Sequence, residues 1–130
     1  MTQRVLVAGG AGFVGRHVVA KLSGAGHDVV VLTRSRERAR DLILLPTVRV
    51  VEADPFDPAV LARWTRDATA AINLVGVLHP RGRDTFERVH VDFPRALLAA
   101  CAKAGVARIL HMSALAAMPC LLYTSDAADE

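Results

Sequence analysis

An apolar run that ends in closely spaced glycines is the feature of this sequence that most constrains its fold. The run Arg4–Ala8 is rich in β-branched and apolar residues and predicts a strand, and a helix is predicted from about Phe13 to Ser23. Between them stand four glycines in two overlapping spacings, Gly10-x-Gly12-x-x-Gly15 and Gly9-x-x-Gly12-x-x-Gly15. The order strand, glycine turn, helix predicts the first half of a βαβ unit.

Each glycine of this turn has a mechanical role if the turn holds a dinucleotide. One allows a backbone turn that a Cβ atom would forbid, one lets the backbone approach the pyrophosphate, and one lets the helix pack closely against the strand. The phosphates would lie at the helix N-terminus, where N–H groups and the helix dipole favour negative charge. The expected phosphate site consists of six residues of the turn: Gly9, Gly10, Gly12, Phe13, Val14 and Gly15. The alternative is a glycine-rich turn that binds no ligand.

Strands and helices alternate along the rest of the chain. Further strands are predicted at 28–33, 48–52, 70–75 and 107–112. Helices are predicted at about 36–44, 58–66 and 84–104, and Pro94 should kink or split the last of them. This order predicts the α/β class, as a Rossmann-type doubly wound parallel sheet with strand order 3-2-1-4-5, truncated after the fifth strand. A ligand is expected at the carboxyl ends of the strands.

The composition argues against several classes of protein. No apolar run reaches the roughly 18 to 20 residues of a membrane helix, and no signal peptide is expected before the first strand. The cysteines, Cys101 and Cys120, show neither metal-ligand spacing nor a disulfide framework, so we expect a reducing cytoplasm and no metal site. The net charge of +3 and the aromatic fraction of 5% argue against nucleic-acid binding, which favours a basic stripe with interleaved aromatic residues.

The segment 120–130 breaks the alternation, because it follows neither helix nor strand periodicity. Its sequence, CLLYTSDAADE, resembles the translation of a sequencing adapter. We therefore expect two parts, the N-terminal part of an NAD(P)-binding Rossmann domain over 1–119 and a non-native tail over 120–130. A genuine polar C-terminus is the alternative.

Several motifs follow one another along the chain in a characteristic order. They are the glycine turn, Asp54, Asn73-Leu74-Val75-Gly76, Phe86-Glu87-Arg88-Val89-His90-Val91 and His111-Met112-Ser113-Ala114-Leu115. In this order they resemble the extended and atypical short-chain dehydrogenase/reductase superfamily, of the NAD-dependent epimerase/dehydratase type. Within it they resemble in particular the nucleotide-binding accessory subunits of respiratory complex I and their bacterial relatives. The resemblance extends over 5–117 and departs from the pattern at Asp92-Phe93-Pro94.

The resemblance implies three alternative functions for the full-length protein. The first is an NAD(P)-dependent reductase or epimerase that acts on a small molecule. The second is a non-catalytic NADP(H)-binding accessory subunit, associated peripherally with a respiratory NADH:quinone oxidoreductase at the inner face of the membrane. The third is a redox-sensing regulator that binds NADP without turnover.

The residues after the second strand favour NADP(H) over NAD(H). Sites that bind NAD usually place an acid there for the ribose hydroxyls, but the sequence reads Leu32-Thr33-Arg34-Ser35. The planar guanidinium of Arg34 is suited to a 2′-phosphate, and Arg38 lies one helical turn further on. A solvated helix face is the alternative for both arginines.

The resemblance also assigns residues to the rest of the cofactor groove. Asp54, after the third strand, would hold the adenine amino group, or else form an Asx-turn before Pro55. Asn73, Val75 and Gly76 would line the inner wall of the groove.

The residues of this chain do not supply the usual catalytic pair. Hydride-transfer members of the superfamily use a tyrosine with a lysine four positions on, whereas the single tyrosine here, Tyr123, is followed at that spacing by Ala127. We therefore expect no dehydrogenase turnover from these 130 residues alone. Ser113, after the fifth strand, is the candidate catalytic residue, and a serine that merely ends a strand in a turn is the alternative.

Overall fold

The computed structural model describes residues 2–10, 12–75 and 88–112. In these ranges the sheet consists of five strands: β1 (Arg4–Ala8), β2 (Asp28–Thr33), β3 (Val48–Glu52), β4 (Ala70–Asn73) and β5 (Arg108–His111). The α-helices of the same ranges are α1 (Phe13–Gly24), α2 (Pro58–Thr65) and α3 (Phe93–Ala104). Each described helix falls short of the length and apolarity that crossing a membrane requires.

The sheet is parallel, with the strand order β3-β2-β1-β4-β5. Val5 of β1 lies beside Val29 of β2 on one side and Ala70 of β4 on the other, so β1 occupies the centre. The chain runs outward from β1 to β3, crosses back to β4, and continues to β5 on the opposite side. The predicted Rossmann-type sheet and its strand order are confirmed. Such a sheet has a crevice where the order reverses, at the carboxyl ends of β1 and β4.

Successive side chains of β1 point to opposite faces of the sheet, and each set packs in a hydrophobic core. Val5 and Val7 belong to the core on the side of α1. Leu6 and Ala8 belong to the core on the side of α2 and α3, where Phe93 is fully buried. Because both faces are covered, the central strands are almost continuously apolar.

The prediction of one helix over 36–44 is wrong. The segment forms two separate 3₁₀ turns, Glu37–Ala39 and Leu42–Leu44. Its backbone hydrogen bonds join residues three apart rather than four apart. Ala39 and Leu42 are the side chains that this segment buries in the core. Their spacing of three residues matches the 3₁₀ repeat, so each turn places one side chain on the sheet.

Two further elements differ from the sequence prediction by more than one residue. The strand β4 ends at Asn73, two residues early, because the Oδ1 atom of Asn73 accepts a hydrogen bond from the N–H of Val75 at 3.0 Å. The described part of the helix predicted over 84–104 starts with a π-helical turn, Arg88–Asp92, and continues as α3 with Pro94 in its first turn. Proline has no N–H to donate, so the wide turn precedes it in place of an unbroken α-helix.

Candidate functional site

The glycine turn lies where the strand order reverses. It leaves the carboxyl end of β1 and leads into α1, which begins at Phe13. Leu74, which follows β4, donates its N–H to the carbonyl oxygen of Ala8 at 2.8 Å. The chain after β4 therefore lies against the turn, and the ends of β1, β2 and β4 share one edge of the sheet.

Three glycines of the turn are required by the fold itself. Gly9 has a φ of +86°, and a Cβ atom there would lie 2.6 Å from the carbonyl carbon of Leu74. A Cβ atom on Gly15 would lie 2.5 Å from the carbonyl oxygen of Gly9, and one on Gly10 would lie 2.9 Å from Cγ1 of Val31. These distances are well below the roughly 3.5–4.0 Å of favourable non-bonded contact. The three glycines close the turn and bring α1 against β1.

Gly12 is different, because nothing in the described protein requires a glycine at this position. Its φ of −77° and ψ of 178° suit any residue. A Cβ atom would have one neighbour within 4 Å, the carbonyl oxygen of Gly9 at 3.7 Å. Gly12 is exposed and is the N-cap of α1, where it places no side chain over the N–H groups of the first turn. The space that a side chain would fill is open to a ligand.

The first turn of α1 suits an anion. It contains no acidic side chain, and the helix dipole adds a partial positive charge at this end. Phe13 and Val14 are 79% and 41% exposed, so two apolar side chains lie beside the turn. The ring of Phe13 packs edge-on against His17, with 4.9 Å between the ring centroids. Backbone donors with apolar surface beside them fit the pyrophosphate of a dinucleotide.

Arg34 lies at the exposed end of β2. The hydroxyl oxygen of Thr33 accepts the N–H of Ser35 at 3.1 Å and so turns the chain there. The guanidinium of Arg34 lies over the ring of Phe56, 5.0 Å from its centroid. A second guanidinium, that of Arg88, lies 4.1 Å from the same centroid. Contact with one aromatic ring orders both cations at the carboxyl edge of the sheet.

Sequence reasoning missed Glu52, which brings a carboxylate to the same edge. Glu52 ends β3 and is paired with Thr33, and its Oε1 atom accepts the N–H of Arg36 at 2.9 Å. The depression at this place is lined by Arg34, Glu52, Ala53 and Asp54. The end of β2 carries no acid of its own, but its neighbour in the sheet supplies one. The parallel pairing of β2 with β3 is the signal that would have found it.

Asp54 and Arg38 differ in how they relate to this depression. The Oδ1 atom of Asp54 accepts the N–H of Phe56 at 3.0 Å, which is the expected Asx-turn. That turn uses one carboxylate oxygen, so the turn and a contact with adenine are compatible. Arg38 is exposed in the first 3₁₀ turn, and its carbonyl oxygen accepts from Nη2 of Arg16 at 3.4 Å. The structure brings Arg34 and Asp54 together, and Arg38 lies outside the lining of the depression.

Asn73 is 1% exposed, and both of its polar atoms are engaged at the edge of the sheet. Its Oδ1 atom accepts the N–H of Val75, and its Nδ2 atom donates to Nδ1 of His111 at 3.0 Å. Asn73 thereby joins the ends of β4 and β5, with the half-buried Val75 beside the glycine turn. Gly76 and Ser113 lie outside the described residues.

Among the described residues, neither a reactive thiol nor a metal-binding cluster accompanies the carboxyl edge. Cys101 is fully buried on α3, and burial raises the pKa of its thiol, which keeps the thiol protonated and unreactive. In the described ranges, no group of three His, Cys, Asp or Glu side chains is arranged to hold a metal ion. The carboxyl edge therefore offers backbone amides, guanidinium groups and carboxylates, which is the chemistry of nucleotide recognition.

Comparison with known proteins gives consistent matches. The model of the NAD dependent epimerase/dehydratase family matches residues 5–123. The ceramide reductase of Caulobacter vibrioides is 35% identical over 113 residues, which cover 87% of this chain and 35% of that protein. The mitochondrial NADH-ubiquinone oxidoreductase 40 kDa subunit of Neurospora crassa is 29% identical over 130 residues, which cover 95% of this chain and 35% of that protein.

Solved structures match over a similar extent. A mutated uronate dehydrogenase superposes with a TM-score of 0.73 at 25% identity, over 89% of this chain and 41% of that one. The chain spans about a third of the length of the curated relatives it matches.

Proposed function

This chain belongs to the NAD dependent epimerase/dehydratase family, and from that membership we propose that it supplies the dinucleotide-binding part of a reductase or epimerase that favours NADP(H). The observation that carries the proposal is Gly12, the one glycine of the turn for which the described protein has no steric need. A ligand that approaches the backbone closely explains a glycine at such a position. The substrate of the proposed enzyme is a small molecule.

The pyrophosphate binds at the N-terminus of α1. The backbone N–H groups of Phe13, Val14 and Gly15 donate to the phosphoryl oxygens, and Gly12 lets those oxygens come close. The second carboxylate oxygen of Asp54 accepts from the adenine amino group. When bound, the nicotinamide supplies hydride chemistry, and the residues of this chain bind and orient the cofactor.

Arg34 gives the site its preference for NADP(H). Its guanidinium is ordered on Phe56 and lines the depression at the end of β2, where the adenine ribose of a bound dinucleotide lies. The planar fork of a guanidinium matches a phosphate dianion, and an ordered side chain loses less conformational entropy on binding. Arg38, outside the depression, adds only longer-range attraction.

Arg34→Ala is expected to weaken NADPH binding about tenfold or more, because a charge-assisted contact with the 2′-phosphate is lost. NADH, which has no phosphate there, should bind as before. Calorimetric titration of the purified protein with both cofactors measures the two affinities. Arg40→Ala is the matched control, since Arg40 is exposed on the same segment and contacts Glu37 in a surface ion pair. Equal losses for NADPH and NADH would contradict the assignment.

Glu52→Gln is expected to strengthen NADPH binding about threefold and to leave NADH binding almost unchanged. The glutamine keeps an oxygen that can accept the Arg36 N–H, so the local fold persists, but it removes a negative charge that repels the 2′-phosphate. The same calorimetric titration gives the result. An unchanged ratio of the two affinities would mean that the Glu52 carboxylate does not face the bound cofactor.

A second candidate function rests on the similarity to the 40 kDa subunit, which extends over 95% of this chain. In that case the protein is an NADP(H)-binding accessory subunit that lies against a respiratory NADH:quinone oxidoreductase without turnover. An NADPH oxidation assay of the full-length protein with small carbonyl compounds separates the two functions. Turnover that Ser113→Ala abolishes supports the enzyme. Tight NADPH binding without turnover, together with co-purification of the quinone oxidoreductase, supports the subunit.

A further inference from the structure

A cavity of about 510 Å³ opens at the amino ends of the strands, on the edge of the sheet opposite to the glycine turn. Its position follows from three lining residues: Arg4 and Asp28 begin β1 and β2, and Thr47 immediately precedes β3. The volume is within the roughly 300–1,000 Å³ that is typical of small-molecule sites. The proposed dinucleotide site uses none of these residues.

The walls of this cavity carry an excess of positive charge. Its charged lining residues are Arg4, Arg49, Arg63, Arg66, Asp28 and Asp67. The lining residues thus carry four guanidinium groups and two carboxylates, an excess of two positive charges. Within the described part of the chain, none of the four guanidinium groups forms an ion pair. Arg4 and Asp28 lie opposite each other in the adjacent strands β1 and β2, but their side chains do not form an ion pair. Like charges gathered in this way repel one another until an anion joins them.

Two of the four guanidinium groups are held in place by Trp64. The guanidinium carbons of Arg49 and Arg63 lie 5.3 Å and 5.0 Å from the centroid of the indole ring. Trp64 is half-buried and packs against the core on the side of α2 and α3. The indole therefore fixes the position of both cations, which lowers the entropy that a ligand would lose in ordering them.

Part of the cavity lining is apolar. Leu6, which is 1% exposed, and the half-buried Val30 lie in this lining and pack in the core on the side of α2 and α3. A ligand that fills this cavity therefore combines an anionic group with a less polar remainder. A phosphate monoester fits, because it carries a charge of about −1.5 to −2 at neutral pH, close to the excess on the walls, and its oxygens match guanidinium forks.

We propose that this cavity is a second ligand site, independent of the dinucleotide site, which binds a small organic phosphate between the guanidinium groups beside Trp64. The site lies at the opposite edge of the sheet from the glycine turn, so both ligands bind at once. The proposal does not depend on the proposed function of the carboxyl edge.

Trp64 is the single tryptophan of the chain, so its fluorescence reports directly on this cavity. Titration of the 130-residue chain with glycerol 3-phosphate should give a saturable change in that fluorescence. The change should persist in Gly12→Val, which blocks the other edge. Sodium chloride at equal ionic strength should not reproduce it. A response that does not saturate, or one that sodium chloride reproduces, would overturn the proposal.

Arg66→Gln and Arg4→Gln should each weaken the response about tenfold, since each removes one charge-assisted contact without touching the ring of Trp64. Both side chains are exposed, and far-UV circular dichroism verifies the fold of each variant. Arg95→Gln, in the first turn of α3, removes the same charge elsewhere and should have no effect. Equal responses of Arg66→Gln and Arg95→Gln would contradict a built site.

Vesicles distinguish a free phosphate ester from a lipid headgroup. Phosphatidylcholine vesicles with and without phosphatidic acid are titrated against the same fluorescence signal. We expect glycerol 3-phosphate to suffice alone and to compete with any response to phosphatidic acid. A response to the vesicles without any response to glycerol 3-phosphate would refute a small-molecule site.

Discussion

Gly12→Val is expected to weaken NADPH binding about a hundredfold and to leave the fold intact. A valine at this position adopts the observed extended φ and ψ without strain, and among the described residues its Cβ atom has one neighbour within 4 Å, at 3.7 Å. The branched side chain then fills the space that the phosphoryl oxygens need in front of the first turn of α1. Loss of two charge-assisted hydrogen bonds, about 3 kcal/mol in total, corresponds to about a hundredfold weaker binding of NADPH.

Gly24→Val is the matched control for this experiment. Gly24 is the last residue of the same helix, and a Cβ atom there has no described neighbour within 4 Å. It lies at the far end of α1, so NADPH should bind the control as it binds the parent protein. Calorimetry gives the affinities, and thermal unfolding verifies that both variants fold. NADPH binding that Gly12→Val retains would mean that the turn is structural only.

Gly15→Ala, in contrast to Gly12→Val, is expected to lower the stability of the fold. Its added methyl group would lie 2.5 Å from the carbonyl oxygen of Gly9 and 2.6 Å from the Cα atom of Gly10. These are backbone atoms at the centre of the turn, so relief requires that α1 move away from β1. We expect the free energy of unfolding to fall by about 3 kcal/mol, the upper part of the range for overpacked sites.

Urea denaturation measures that free energy, with Gly12→Ala as the reference substitution in the same turn. Gly12→Ala should lower stability by only about 1 kcal/mol, since its methyl group lies in open space and the substitution loses only the N-cap preference for glycine over alanine. Similar stabilities for the two alanine variants would show that α1 packs less closely on β1 than the structure indicates.

Much of this architecture follows from the local sequence. The strands β1, β2 and β3 begin and end as predicted, because β-branched apolar runs between turn residues have one favourable conformation in a doubly covered sheet. The helix end at Gly105 follows equally well, since that residue has a φ of +78°. The 3₁₀ turns after β2 could not be predicted from the sequence, because the three-residue spacing of Ala39 and Leu42 fits both a 3₁₀-helix and an α-helix.

The features that the sequence could not provide depend on residues far apart in the chain. Glu52 lies beside the end of β2 because β3 pairs with β2. The guanidinium groups of Arg34 and Arg88 both lie over the ring of Phe56. The hydrogen bond from Asn73 to His111 likewise requires that β4 and β5 be neighbours. Local periodicity carries no information on such contacts, which follow only once register is known.

The proposed cofactor site depends first on the N-terminus of α1, which would hold the phosphates of a dinucleotide. Two-dimensional ¹H–¹⁵N NMR of the labelled protein, recorded as NADPH is added, tests it residue by residue. We expect the largest shifts at the backbone amides of Gly12, Phe13, Val14 and Gly15, with a further change at Arg34 that NADH does not cause. Shifts confined to the amino ends of the strands, or none at the glycine turn, would contradict it.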